Sequence, residues 1–346
     1  MTNDDKRTLT AQGGQPFYYE LAHAAQSSLQ PASLADALGV RPGITAIIGS
    51  GGKTSLLRSL SRELSHELPS EVSRDLSHEL PSEVSRELSH ELPGEVSREM
   101  SHELPSEVSR EMPCEMPCEQ ARQLSHGSSH SRSGRGSRIL LTTTTHILPF
   151  QDLPCLRVSS EETSSWVREQ LAGFDASVKE ICFGSGLLPE NSDSRLSFNP
   201  KLSAPGFPLY ELLPVADYIL TEADGARHHY MKAHAHYEPV IPDRCGRTIL
   251  VIGAQGFGMK VAEAVHRPEI FCRLTGTQPG DIVTPALYAE FLRREVEGGL
   301  AFDCILMNGV SCEHRRDCTA EFAAEFTEKM AGQFSGPVVL AALPLA

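Results

Sequence analysis

A chain of 346 residues, 40% of them hydrophobic, is long enough for one large α/β domain or two smaller ones and can bury a sizeable core. A net charge of −14 and a pI near 5.5 exclude a protein whose main work is to coat nucleic acid or an anionic membrane surface. Apolar runs fall well short of the roughly 18 residues a membrane span needs, and nine cysteines, an odd number, fit reduced thiols better than a disulfide framework.

The opening MTNDDKRTLTAQGG carries no apolar stretch, so no secretory signal is expected. PASLADALGVRPG predicts a short helix over 32–38, ending near Gly39. ITAIIG, 44–49, predicts a strand, and Gly49-Ser50-Gly51-Gly52-Lys53-Thr54-Ser55 leads from it into a helix over 54–64. Glycines let backbone N–H groups converge on a phosphate, and the helix N-terminus adds its dipole. In that reading Lys53 pairs with β/γ-phosphate oxygens and the Thr54 hydroxyl holds Mg²⁺. The competing reading is a plain strand–turn–helix connection. The familiar G-x-x-x-x-G-K-[ST] spacing would put a glycine where Ile47 stands, so the loop is tighter on its N-terminal side.

From 61 to 108 the sequence repeats every twelve residues, beginning SRELSHELPSEV. Each of the four units carries one Arg and three carboxylates, so the repeats hold −8 of the −14. Leu64, Leu68 and Val72 fall on one helical stripe, but Pro69, Pro81, Pro93 and Pro105 interrupt it. Low apolar content and high charge predict a disordered or partly helical insertion over 61–137, ending in HGSSHSRSGRGSR. It reads either as an expanded repeat tolerated in a surface loop or as an interaction or His-rich chelating tail.

Past the insertion, RILLTT (138–143) predicts the next strand, followed by Thr142–Thr145 and His146. A threonine here, Thr144 above all, is a candidate to reach Mg²⁺ or a γ-phosphate; β-propensity alone would also place threonines there. A helix over 161–171 surrounds the sole tryptophan, Trp166, and strands follow at 180–185 and 217–222. The second of these ends in Thr221-Glu222-Ala223-Asp224-Gly225. Carboxylates at the end of an apolar strand suit Mg²⁺ binding or the orientation of an attacking water, and Glu222 and Asp224 point to the same side of an extended chain. A solvated turn is the alternative.

ARHHYMKAHAHYEPVIP holds His228, His229, His234, His236 and Lys232 and is read as a polar, substrate- or phosphate-facing loop rather than a zinc site. Further strands are expected at 248–253, 303–308 and 337–342, and helices at 285–297 and 319–331. CEHRRDC, 312–318, lacks metal-binding spacing. Alternating strands and helices give a mainly parallel sheet, whose ligands lie beyond its carboxyl edge.

IIGSGGKTSLL, ILLTTTTHILP, LTEADGAR…MKAHAHYEPVIP, LVIGAQGFGMKV…VHRPEI and ILMNGV, in this order, resemble the selenium-dependent hydroxylase accessory proteins, also called the YqeC family. The resemblance covers about 38–60 and 138–330. It implies a cytoplasmic α/β protein with a three-layer P-loop NTPase-like fold and a mainly parallel sheet, interrupted by the low-complexity insertion. Its domains are an N-terminal segment 1–37, the P-loop domain 38–60 and 138–346, and the insertion 61–137. It further implies Mg²⁺ with ATP or GTP as cofactors and a part in maturing selenium-dependent molybdenum hydroxylases. The expected partners are a nucleotide and a hydroxylase or its cofactor-insertion factor, without nucleic acid or membrane.

Carried over by position, Gly49, Ser50, Gly51, Gly52, Lys53, Thr54 and Ser55 bind the nucleotide. Lys53, Glu222 and Asp224 are catalytic, and Thr54, Thr144, Glu222 and Asp224 hold the metal. Lys232, Glu238, Pro239, His266 and Arg267 match further family blocks, and Arg227 or Arg267 is a candidate to add positive charge at the transition state. The family usually reads N-K-V-D where this chain has Asn308-Gly309-Val310-Ser311, which puts guanine selection in doubt and favours ATP. Two alternatives are a small-molecule kinase and a nucleotide-gated adaptor without turnover.

Overall fold

The computed structural model describes residues 18–20, 33–67, 138–159, 161–186, 201–311 and 319–344. The chain divides into two units, 1–71 with 135–346, and 72–134. The second unit lies outside the described residues, and with it the expected disorder of the repeats.

In chain order the first unit runs β1 (Tyr18–Glu20), α1 (Leu34–Ala37), β2 (Gly43–Gly49), α2 (Lys53–Glu67), β3 (Ile139–Thr143), β4 (His146–Ile147), β5 (Cys155–Val158), α3 (Ser164–Ala172), β6 (Glu180–Ser185) and β7 (Leu202–Ser203). It continues with β8 (Tyr218–Glu222), β9 (Met231–Lys232), β10 (Cys245–Gly253), α4 (Val261–Ala264), β11 (Val265–His266), α5 (Pro268–Thr275), α6 (Pro285–Glu297), β12 (Cys304–Asn308), α7 (Thr319–Met330) and β13 (Val338–Ala341).

Eleven strands form one sheet in the order β1-β13-β12-β10-β2-β8-β3-β6-β7-β4, with β5 also on β6, and β9 pairs with β11 in a second, two-stranded sheet. From β13 through to β6 and β5 every pairing is parallel; β1, β4 and β7 add antiparallel edges. The fold is thus α/β with a mainly parallel sheet. The short, nearly all-apolar strands follow from burial on both faces. In β2, Ile44, Ala46 and Ile48 join the cores under α3 and under α5–α7, whereas Ile47 joins the core built by α1 and α2. The same alternation continues in β10, where Leu250 and Ile252 pack to one side and Ile249 and Val251 to the other.

Pro285 at the first position of α6, the Thr284 hydroxyl accepting from the Leu287 N–H, and Gly298 after its end set the bounds that the sequence predicts. α2 departs from prediction. It runs through Glu67, past position 61 where the insertion was expected to begin and past the predicted helix end at 64. Leu64, one turn beyond Leu60, is buried in the same core, and the Glu63 carboxylate accepts the N–H groups of Leu34 (3.1 Å) and Ala35 (2.7 Å), capping α1. The first half of the first repeat therefore belongs to the folded domain. Leu64→Ala should cost about 2–5 kcal/mol in a urea unfolding curve, whereas a helix ending at 60 would leave stability unchanged.

The last turn of α2 lies at the end of the helix opposite the glycine loop. Over the helix's 15 residues that is about 22 Å at 1.5 Å per residue.

Candidate functional site

Leaving β2, the chain crosses over β8 to β3; leaving β10, it goes the other way to β12. β2 and β10 therefore flank the point where the strand order reverses, and there a crevice opens at the carboxyl edge. The glycine loop occupies that position. The Ser50 N–H donates to the Val251 carbonyl at 2.9 Å, and the Ser50 hydroxyl donates to the His229 carbonyl. Gly51 has φ +83°, and a Cβ there would fall on the Gly253 backbone and 2.7 Å from the Tyr230 carbonyl. Only glycine fits so tight a loop against the next strand, which accounts for the short spacing around Ile47.

Lys53, at the start of α2, is buried with its side chain folded back along the loop. Its ammonium donates to the Gly49 carbonyl at 2.8 Å and lies 3.3 Å from Asp224 Oδ1 and 3.6 Å from Glu222 Oε1. Register places Glu222 opposite Ile47, so both carboxylates come from the strand beside the loop. The Thr54 hydroxyl donates to Glu222 Oε2 at 3.2 Å.

Asp224 is fully buried and is the centre of the site. Its Oδ2 accepts the Gly49 N–H (2.9 Å), pairs with the Lys232 ammonium (2.9 Å) and meets His234 Nε2 (3.1 Å). Its Oδ1 has no hydrogen bond and faces Lys53 alone. Burial opposes ionisation of Asp224, but Lys53, His234 and Lys232 together hold its pKa well below the usual carboxylate range. Glu222 goes the other way: burial raises its pKa against the pull of Lys53.

A further layer surrounds Asp224. Lys232, fully buried, bridges to Glu238 at 2.6 Å and donates to the Gly225 carbonyl at 2.6 Å. Arg267 grips Glu238 with two bonds of 2.6 and 3.1 Å. On the other side His234 stands between two carboxylates, with Nδ1 at 3.0 Å from Glu295 Oε2 and its backbone N–H at 2.7 Å from Glu295 Oε1. Burial alone would lower its pKa; bonds to Asp224 and Glu295 reverse the sign and raise it, as an imidazolium donating from both nitrogens requires.

The structure thus brings together Gly49–Thr54, Glu222 and Asp224. It does not bring Thr144 to them as a metal ligand: the Thr144 hydroxyl donates to the Val240 carbonyl at 2.7 Å, and its N–H donates to the Glu222 carbonyl at 3.1 Å. Thr143 shares that anchoring role through its hydroxyl, 2.9 Å from the same carbonyl. Ser55 is half-buried in the first turn of α2. Arg267 is occupied with Glu238, and Arg227 is exposed. Lys232 and His234 are not in a ligand-facing polar loop but inside the protein. Sequence reasoning missed Glu295, which sits among the buried residues of α6 with Tyr288, Phe291 and Leu292. It missed the part played by Asn308 too, which donates to the Gly51 carbonyl (2.8 Å) and accepts the Leu343 N–H (2.9 Å).

Two carboxylates and a hydroxyl form a hard, all-oxygen donor set of the kind magnesium takes, and Asp224 Oδ1 has no hydrogen bond, only the Lys53 ammonium at 3.3 Å. The residues present therefore fit a magnesium ion. Among the described residues no three His, Cys, Asp or Glu side chains converge as a metal cluster. No helix among them is long and apolar enough to cross a membrane.

Fold and site define an α/β protein with a glycine-loop, lysine and dicarboxylate centre at the switch point of a parallel sheet. Residues 129–269 match the family model described as YqeC protein. The chain is 33% identical over 146 residues to "Uncharacterized protein YqeC" of Escherichia coli (strain K12), covering 42% of this chain and 52% of that protein, about half the relative's length. Over the matched stretch the chain is similar to the YqeC family. The match contains the threonine run, both carboxylates, Lys232, His234, Glu238, His266 and Arg267, but not the glycine loop. No solved structure matches.

Proposed function

We propose that the chain binds a magnesium–nucleoside triphosphate, ATP in preference to GTP, in a P-loop NTPase-like fold. It would hydrolyse that nucleotide as an accessory factor in maturing selenium-dependent molybdenum hydroxylases. The observation that carries the nucleotide reading is the buried Lys53 ammonium, held between the loop's own carbonyl and two carboxylates at the switch point. The order β3-β8-β2-β10-β12 supports it, because the carboxylate strand lies directly beside the loop strand.

The loop N–H groups and the helix dipole would receive the phosphates, and Lys53 would offset the charge of the transferring group. Thr54, Glu222 and Asp224 would hold Mg²⁺, which supplies charge neutralisation between phosphate oxygens. The loop's N–H groups are not all free: Asp224 takes that of Gly49 and fixes the strand end from which the loop springs. With both ends of the Asn308 amide bound and serine at 311 in place of the family's aspartate, the usual acceptor for guanine is missing from its position, which favours adenine. The hydroxylase role rests on the family resemblance.

Calorimetric titration with ATP and with GTP, each with and without Mg²⁺, is the test. ATP should bind, more tightly with Mg²⁺ than without, and more tightly than GTP. Absence of binding by either nucleotide overturns the proposal. Phosphate release under the same conditions separates turnover from a nucleotide-gated adaptor.

A further inference from the structure

The two oxygens of Asp224 are not equivalent. Oδ2 meets three donors: the Gly49 N–H at 2.9 Å, the Lys232 ammonium at 2.9 Å and His234 Nε2 at 3.1 Å. A carboxylate oxygen offers about two lone-pair sites, so Oδ2 has no room for another partner. Oδ1 has no hydrogen bond and faces the Lys53 ammonium at 3.3 Å. A cation entering the site would find Oδ1 available and Oδ2 taken.

His234 is itself held from the far side. Glu295 Oε1 accepts its backbone N–H at 2.7 Å, and Glu295 Oε2 lies 3.0 Å from Nδ1. One carboxylate thus fixes both the chain at 234 and the plane of the ring, and Nε2 is left aimed at Asp224. Lys232 reaches Asp224 from the same side, because residues two apart on an extended chain share a face. That stretch is pinned in turn by the pairing of β9 with β11 and by the Ala233 N–H, which donates to the His266 carbonyl at 3.0 Å. Of the parts that orient Asp224, only Glu295 comes from a distant helix.

Stability is a poor reason for a carboxylate at this place. Glu295 is 6% exposed and lies on α6 beside the buried Tyr288, Phe291 and Leu292. Well-packed apolar residues in place of a buried ion pair are often as stable or more so. Both oxygens of Glu295 are nevertheless spent on one histidine. A two-point grip of that kind fixes an orientation, and the oriented group is the ring that occupies Asp224 Oδ2.

We infer that Glu295, acting through His234, is a positioning residue that locks the Asp224 carboxylate so that Oδ1 is the oxygen presented to the magnesium of a bound nucleotide. The inference rests on the nucleotide reading and extends it to α6.

The experiment is calorimetric titration with ATP, with and without Mg²⁺, of the native chain, Glu295→Leu and Glu295→Gln. The quantity read is the factor by which Mg²⁺ tightens ATP binding. Glu295→Leu removes both bonds to His234 and should lower that factor about tenfold, the low end for removing the group that orients a metal ligand. Its affinity for ATP without Mg²⁺ should stay within about threefold of native. Glu295→Gln keeps an acceptor for the His234 N–H and should fall between the two, with a loss of about threefold. A loss that is equal with and without Mg²⁺ would make Glu295 a support of the fold or the loop, and the positioning role is then overturned. Native Mg²⁺ dependence in both variants overturns it as well. Should Glu295→Leu fail to fold, the loss in Glu295→Gln decides the matter alone. A native chain that binds no nucleotide refutes the nucleotide reading and this inference with it, whereas a native chain that binds, matched by its variants, refutes the positioning role only.

Discussion

Lys232→Met should destabilise the protein by about 3 kcal/mol, the low end of the range for removing one partner from a buried ion pair. Lys232 has no exposed side-chain surface and touches two carboxylates, Asp224 at 2.9 Å and Glu238 at 2.6 Å. Methionine keeps the volume but withdraws the charge. Asp224 would retain Lys53 and His234, and Glu238 would retain Arg267, so the loss falls short of stranding either carboxylate. The pH dependence separates this from a packing defect. Lys232 is among the causes that lower the pKa of both carboxylates below their unfolded values. Stability from a depressed carboxylate is complete above the unfolded pKa of about 4 and is lost as pH falls through the folded value. The difference between native chain and variant, read from urea unfolding, should therefore be largest near pH 6 and shrink below about pH 4. A difference that stays constant across that range would assign Lys232 a packing role only.

The strand framework was legible because strands buried on both faces write themselves as short, continuous apolar runs, and the turn chemistry of α6 is local. The glycine loop, Glu222 and Asp224 were legible for a related reason: in a parallel sheet, chemistry collects just after strands. What stayed hidden depends on distances in space that the sequence does not encode. Nothing in AHAHYEP marks His234 as a bridge, because its partners Asp224 and Glu295 lie 10 and 61 residues away. The two-residue strands β9 and β11 carry no periodicity, yet their pairing sets His266 opposite Lys232. Thr144 read as a metal ligand because hydroxyl chemistry suits one; the Val240 carbonyl, from a loop that packs back over β8, took its hydroxyl instead. α2 was read too short because its last turn has the composition of the repeat, while tertiary packing of Leu64 and Glu63 decides its fate.

Lys53→Ala should abolish useful nucleotide binding, with an affinity loss of about 2–5 kcal/mol, or roughly thirtyfold to several thousandfold. The loss has two sources. The variant lacks the ammonium that would meet the phosphates, and the phosphates would then approach Glu222 and Asp224 without an intervening positive charge. Stability responds too, with a definite sign. Burial already raises the pKa of Glu222, and Lys53 is the principal group opposing that rise. A carboxylate whose folded pKa lies above its unfolded value favours the fold at low pH, and that contribution is lost as pH rises through the folded value. Removing Lys53 enlarges this effect, so the variant should be less impaired at pH 5 than at pH 8. Thermal unfolding at both pH values, with and without Mg·ATP, reads the two consequences separately. A ligand at 100 times its dissociation constant adds about 2.7 kcal/mol to the native chain, and the variant should gain nothing from the same addition. A Lys53→Ala chain that binds ATP within about threefold of native affinity would mean that the ammonium held by Asp224 and Glu222 is a structural ion pair, and that the glycine loop is no more than a turn between β2 and α2.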